Sequence, residues 1–285
     1  MIADQAERLR RLIKRRELGI DVDFSTFMEK AASRQKRLIA FLGDTEEMLG
    51  TSSLVANCGV AMARHGKQVV ILDAYPGKID ASISLGVSAG STMESVMAGL
   101  CDIKAAMYAS NERVTFVKLG DLLDRLDTMD FKDKKNFFNQ WMSLEEAGDI
   151  LLMNETTPNF SFALKEILLV FSPAKAMVAN AYAQLKQSAT MFKGVNIGFI
   201  LNMADTEKDA HATADKFMAT VRKFLHIDIE YAGYIPNSSE VIKAVKARVP
   251  YVIRYPYCPA SAAVNLLVNK LIHGIPLIEK GQGHA

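Results

Sequence analysis

The sequence predicts an α/β chain: a three-layer, doubly wound fold around a mostly parallel sheet, with a helical arm in front of it. Three observations predict it. Short apolar runs rich in β-branched residues recur along the chain, as strands buried on both faces require. Longer helical patterns alternate with them across short connections, which is how a parallel sheet acquires a helical layer on each side. The length of 285 residues and the 49% hydrophobic content suffice for one sizeable core.

In chain order, residues 1–37 form the arm, a basic helical pattern followed by a polar connector from Glu17 to Lys36, and residues 38–285 form the α/β domain. The predicted strands are Leu38–Leu42, Gln68–Leu72, Val114–Val117, Asp149–Met153, Ile167–Phe171, Val195–Leu201 and Ile229–Tyr234. Between them lie helical patterns at Ser52–His65, Lys134–Glu146, Lys175–Thr190 and Thr206–Leu225, the first stopped by Gly66. A last helix, Ala260–Ile272, precedes a short glycine-containing tail, and no repeat or low-complexity segment interrupts the pattern.

Composition excludes several classes. A net charge of +2 makes no demand for nucleic acid or an acidic substrate. The three cysteines, Cys58, Cys101 and Cys258, lie far apart without metal-ligand spacing, as free thiols in a reducing compartment do. No apolar stretch predicts a signal peptide or a membrane span, so a cytoplasmic location is expected.

In an open parallel sheet the loop after the first strand is the usual phosphate cradle. Here that loop runs Gly43-Asp44-Thr45-Glu46-Glu47-Met48-Leu49-Gly50-Thr51-Ser52 into a helix, which is the topology of a P-loop. In the register GxxxxGK(S/T), Gly50 and Ser52 fit, Thr45 stands at the first glycine and Thr51 at the lysine. Glycines let the backbone wrap phosphates and lysine meets their charge, so the loop lacks what the chemistry needs.

Gly50–Ala74, GTSSLVANCGVAMARHGKQVVILDA, is similar to the block GKTxxxxNLAxALAxxGxxVLLLDAD that opens MinD and ParA ATPases and their FlhG/FleN subgroup. Asp73–Val87 resembles the subgroup's DADLGxxNVDxxLGL, and Asp149–Ser161 its DFILIDTGAGIS. Val195–Ser261 resembles its ending, with YAGYIP, AVxxxxP and YPxxxAS at matching spacing. Carried over residue by residue, the resemblance places the signature lysine at Glu46 and the P-loop lysine at Thr51. The water-positioning aspartate falls at Tyr75 and the Walker B type aspartate at Asn154. Survivors are Gly50, Ser52 at the Mg-binding hydroxyl, Asp73, and Asn202 where an Asn-Arg element would touch adenine, Met203 replacing the arginine. Ser52 as a helix cap and Asn202 as a strand end are the plain structural alternatives.

The resemblance therefore implies a pseudo-ATPase without a working ATP/Mg cofactor site. Phosphoryl transfer is almost wholly positioning and charge stabilisation. Adding Glu46 and Glu47 opposes phosphate, because like charges ~4 Å apart repel by roughly 1–4 kcal/mol.

The arm carries Asp4-Gln5-Ala6-Glu7-Arg8-Leu9-Arg10, which resembles the DQAxxLR element with which FlhG proteins activate the signal-recognition-type GTPase FlhF. By that resemblance Gln5 orients water in the partner's GTP site, its amide donating and accepting at once, and Asp4, Ala6, Arg8, Leu9 and Arg10 place the helix. On residues alone the segment reads first as a capped amphipathic helix, Asp4 with Glu7, with an apolar stripe of Ala6, Leu9, Leu12 and Ile13 and a basic face. The C-terminal helix has few basic residues and reads as a packing helix more than a membrane element.

The resemblance implies a regulator of flagellar number or placement. Its partners would be an FlhF-like GTPase and basal-body, C-ring or transcriptional components, and it would be a monomer or a nucleotide-independent dimer. The alternative is a deviant but working ATPase that positions a flagellum, a pilus or another cell-pole machine. A dinucleotide site using Asp73 lacks the GxGxxG that should follow the first strand.

Overall fold

Strand residues that alternate between two apolar faces force a sheet with a hydrophobic layer on each side. The computed structural model describes residues 36–43, 50–75, 80–126, 128–155, 160, 164–188 and 195–273. In it β1 (Arg37–Leu42), β2 (Val69–Asp73), β3 (Tyr108–Ala109), β4 (Val114–Lys118), β5 (Ile150–Asn154), β6 (Glu166–Phe171), β7 (Asn196–Ala204) and β8 (Glu230–Pro236) form one sheet. Its order is β3-β4-β2-β5-β1-β6-β7-β8. Every pairing is parallel except the short β3 edge, which runs antiparallel to β4.

Along β1, Ile39 and Phe41 face one core while Leu38, Ala40 and Leu42 face the other. The first core is covered by α1 (Thr51–Arg64), α2 (Ala81–Leu85), α8 (Ser239–Lys246), α9 (Tyr251–Arg254) and α10 (Pro259–His273). The second lies under α3 (Met93–Met97), α4 (Leu122–Arg125), α5 (Phe131–Glu146), α6 (Lys175–Ser188) and α7 (Glu207–Leu225). There Phe137, Trp141 and Phe160 pack with ring centroids 4.7–6.4 Å apart. α10 is a packing helix: Ala260, Val264, Leu267, Val268 and Leu271 are buried. Its Ser261 hydroxyl donates to Tyr255 O at 2.8 Å, which explains the serine of YPxxxAS.

Each predicted strand and helix of the α/β domain has a counterpart among the described residues, with shifts that have local causes, while the helical pattern of the arm lies outside them. α5 begins at Phe131, earlier than Lys134, because Asp130 accepts from Asp133 N–H at 2.8 Å and caps it. α1 ends in a Schellman motif at Gly66, φ +78°, with Lys67 N–H on Met62 O. Ser52 does not cap α1: the N-cap is Gly50, φ +71°, and Ser52 lies inside the first turn. Asn202 does not end its strand either, since β7 runs on to Ala204 through a register shift between Leu201 and Ala204.

The chain runs from β1 toward β2 and β4 on one side, then returns through β5 and crosses β1 to β6. The strand order therefore switches direction around β1, where open α/β sheets form a crevice at their carboxyl ends.

Candidate functional site

The carboxyl ends of β1, β2 and β5 lie side by side, with Phe41 in register with Asn154 and Asn154 with Asp73. That register, and the entry of α1 above it, bring three chemically important side chains within bonding distance.

Asn154 is fully buried. Its Nδ2 donates to Ser52 Oγ at 3.0 Å and to Asp73 Oδ2 at 2.9 Å. An ionised carboxylate only accepts hydrogen bonds, so the amide nitrogen, not the oxygen, is assigned to face it. Asn154 Oδ1 has no hydrogen-bond partner among the described residues.

Asp73, also fully buried, accepts from Ala81 N–H at 2.9 Å through Oδ2 and from Tyr75 N–H at 3.0 Å through Oδ1. It thereby ties the end of β2 to the start of α2. Burial pushes its carboxyl up to about 6, against the Ala81 and Asn154 hydrogen bonds that favour the ionised form, and nearby Asp80 adds to the rise.

On the β1 side, Gly43 N–H donates to Glu155 Oε1 at 2.8 Å. Glu155 is buried and holds φ +64°, a left-handed backbone that costs a residue with a Cβ about 1 kcal/mol or more. A Cβ on Gly43 would fall 2.2 Å from Thr51 Oγ1, so the strand end and the helix start are in direct contact. Thr51, where the lysine would stand, is therefore packed inward at 7% exposure. A Cβ on Gly50 would meet Asn202 Nδ2 at 3.1 Å and Met203 Cε at 3.2 Å, which places the β7 bulge against the loop end.

A polar arm extends from this cluster. Asp80 caps α2, accepting from the Ser82 N–H and hydroxyl, and pairs with Lys118 Nζ at 2.8 Å. That hydrogen bond raises the Lys118 ammonium above its ordinary value.

The structure thus joins Ser52, Asp73 and Asn154 by hydrogen bonds, Tyr75 to them through its backbone, and sets Gly50, Thr51 and Asn202 at the rim. Glu46 and the arm residues Asp4, Gln5, Ala6, Arg8, Leu9 and Arg10 lie outside the described residues. Sequence reasoning missed Gly43, Glu155, Asp80 and Lys118. A polar residue directly after a buried strand was the available signal for Glu155, and an Asp before a helical run the signal for Asp80. Among the described residues no group of three or more His, Cys, Asp or Glu side chains could hold a metal ion.

A mostly parallel sheet with its loop-to-helix entry at the switch strand defines a P-loop fold of the MinD/ParA type, and solved structures agree. MinD from Pyrococcus horikoshii, complexed with Mg-ADP, superposes with a TM-score of 0.63 at 20% identity, over 85% of this chain and 98% of that one. A ParA family ATPase from Chlorobium tepidum gives 0.64 at 16% identity, over 84% of this chain and 100% of that one.

In sequence the chain is a relative of the antiactivator FleN of Pseudomonas aeruginosa, 22% identical over 242 residues that make up 83% of this chain and 86% of FleN. It is likewise similar to an uncharacterized ATP-binding protein of Methanocaldococcus jannaschii, 25% identical over 78% of this chain and 83% of that protein. No protein-family model matches.

Proposed function

We propose that this chain regulates flagellar number or placement by binding other proteins, without hydrolysing ATP. The observation that carries the reading is Thr51. At the junction of loop and helix, where a P-loop needs a cation, a neutral side chain is packed inward against Gly43. The bonded group behind it, Ser52, Asp73 and Asn154, contains no cation and one carboxylate. Little is left there to stabilise a transferring phosphoryl group.

Function then rests on contacts. The similarity to FleN supports a flagellar regulator, and the Asp4–Arg10 segment supports an FlhF-type GTPase as the partner, with Gln5 acting in trans. Basal-body, C-ring or transcriptional components would bind the core of a cytoplasmic monomer or nucleotide-independent dimer. The test is the GTPase rate of the cognate FlhF-type protein with a peptide of residues 1–20. Stimulation that Gln5→Ala abolishes is expected; a wild-type peptide without effect, or a Gln5→Ala peptide with equal effect, refutes the activator role.

The Methanocaldococcus relative, named as ATP-binding, and the Mg-ADP held by Pyrococcus MinD favour a second reading. That reading is a deviant ATPase positioning a flagellum, pilus or other cell-pole machine, and Mg-dependent ATP turnover by this chain would establish it.

A further inference from the structure

Two oxygens converge at the carboxyl edge of the sheet, the Ser52 hydroxyl from the first turn of α1 and the Asp73 carboxylate from the end of β2. A hydroxyl and a carboxylate facing one gap are the kind of oxygen donors a hard divalent cation takes. The related MinD fold holds Mg-ADP, so the residues here can be asked whether they fit the metal. They do not. The gap contains the Asn154 amide group, whose nitrogen hydrogen-bonds both oxygens at once, at 3.0 and 2.9 Å. An NH2 group carries two donors and no lone pair for a metal, so a cation and this amide orientation exclude each other.

We propose that Asn154 takes the place of a divalent cation, joining α1, β2 and β5 through its amide so that the cleft is held closed with no metal bound. Asp73 extends the joint to α2 through Ala81 N–H, so one amide fixes the helix after β1 and the helix after β2 together. In a cation-bound site the same connection would come and go with the ion. Here the bridging group is covalently part of the chain, and the connection needs no ion.

The carboxamide and the carboxylate differ by one substituent and have the same shape. Asn154→Asp therefore removes both donors and sets a second carboxylate beside Asp73 without changing the packing. The variant should repel itself open in metal-free buffer and close on a cation. The inference rests on reading this cleft as a nucleotide site that has lost its function, and the two can fail separately.

The experiment uses the full chain in EDTA-treated buffer at matched ionic strength. Mn²⁺ binding is followed by its EPR signal, and thermal unfolding is followed with and without millimolar Mg²⁺. Expected is wild-type protein that takes up no Mn²⁺ and melts at the same temperature with or without Mg²⁺. Asn154→Asp should melt lower than wild type in EDTA, bind Mn²⁺ at least about tenfold more tightly, and recover with Mg²⁺. Adding Ser52→Ala to Asn154→Asp should remove that gain. Saturable Mn²⁺ binding by wild type overturns the proposal, as does an Asn154→Asp variant that gains no Mn²⁺ affinity or stays unfolded in Mg²⁺. Wild type that binds Mn²⁺ but hydrolyses no ATP would sink the amide substitution and leave the loss of ATPase function standing; ATP turnover by wild type would do the reverse to that reading.

Discussion

Gly43→Ala probes whether the end of β1 is truly closed on the start of α1. An ideal Cβ there sits 2.2 Å from Thr51 Oγ1, 3.2 Å from Thr51 Cβ and 3.5 Å from Glu155 Oε1. Uncrowded contact needs about 3.5 Å, so the first of these overlaps by more than an ångström and the others are tight or ordinary. Thr51 cannot easily yield, because its backbone belongs to α1 and its side chain is buried. Overpacking of this kind costs about 1–3 kcal/mol. For a domain of this size each kcal/mol moves Tm by roughly 2–4 °C, so the expected fall is roughly 2–12 °C. Thr51→Ala deletes the clashing hydroxyl, and the double variant Gly43→Ala/Thr51→Ala should recover about 1–2 kcal/mol over the sum of the singles. Urea denaturation at constant m-value reads the cycle. Gly43→Ala as stable as wild type, or a cycle that closes at zero, would refute the packed junction and with it the inward placement of Thr51.

Further outcomes are expected at three sites. Asp73 is held at about 6 in the folded chain against about 3.9 unfolded. Between those values the folded state keeps a proton that the unfolded state has lost. Its contribution is full below about pH 4 and is lost as pH rises through about 6, roughly 3 kcal/mol in all. Urea midpoints across that window should show this slope for wild type and lack it for Asp73→Asn; equal slopes would contradict the assignment. Glu155→Ala should cost about 1–3 kcal/mol by stranding Gly43 N–H. Glu155→Gly should cost about 1 kcal/mol less, since glycine accepts φ +64°, and calorimetric Tm values order the two. Arg37 grips Glu166 with two hydrogen bonds of 2.6 Å and reaches Ile272 O at 3.1 Å, joining β1, β6 and α10. Arg37→Ala should lose about 1–2 kcal/mol, and Arg37→Lys should recover under half of it because a lysine has no planar fork.

The strands were legible because a strand buried on both faces reads as an unbroken apolar run, as in Leu38–Leu42 and Ile167–Phe171. β3, two residues long at the sheet edge, carries no such pattern. The short helices α2, α8 and α9 were equally hidden, being set by caps and by contacts such as Asn57 Oδ1 accepting Val252 N–H at 3.0 Å. Those contacts span the chain and leave no local trace. In the site, Ser52, Asp73 and Asn154 were named in advance by resemblance, yet nothing in the sequence said that one amide would bind the other two. Gly43 and Glu155 escaped because their roles come from each other, 112 positions apart.

The most direct measurement of the account is ATP turnover and binding by the full chain with Mg²⁺, by phosphate release and by calorimetry. A cleft closed on Thr51 and on the Ser52–Asn154–Asp73 joint predicts neither release above the uncatalysed rate nor a saturable binding heat. Micromolar, Mg²⁺-dependent ATP binding accompanied by turnover would contradict it and restore the positioning ATPase.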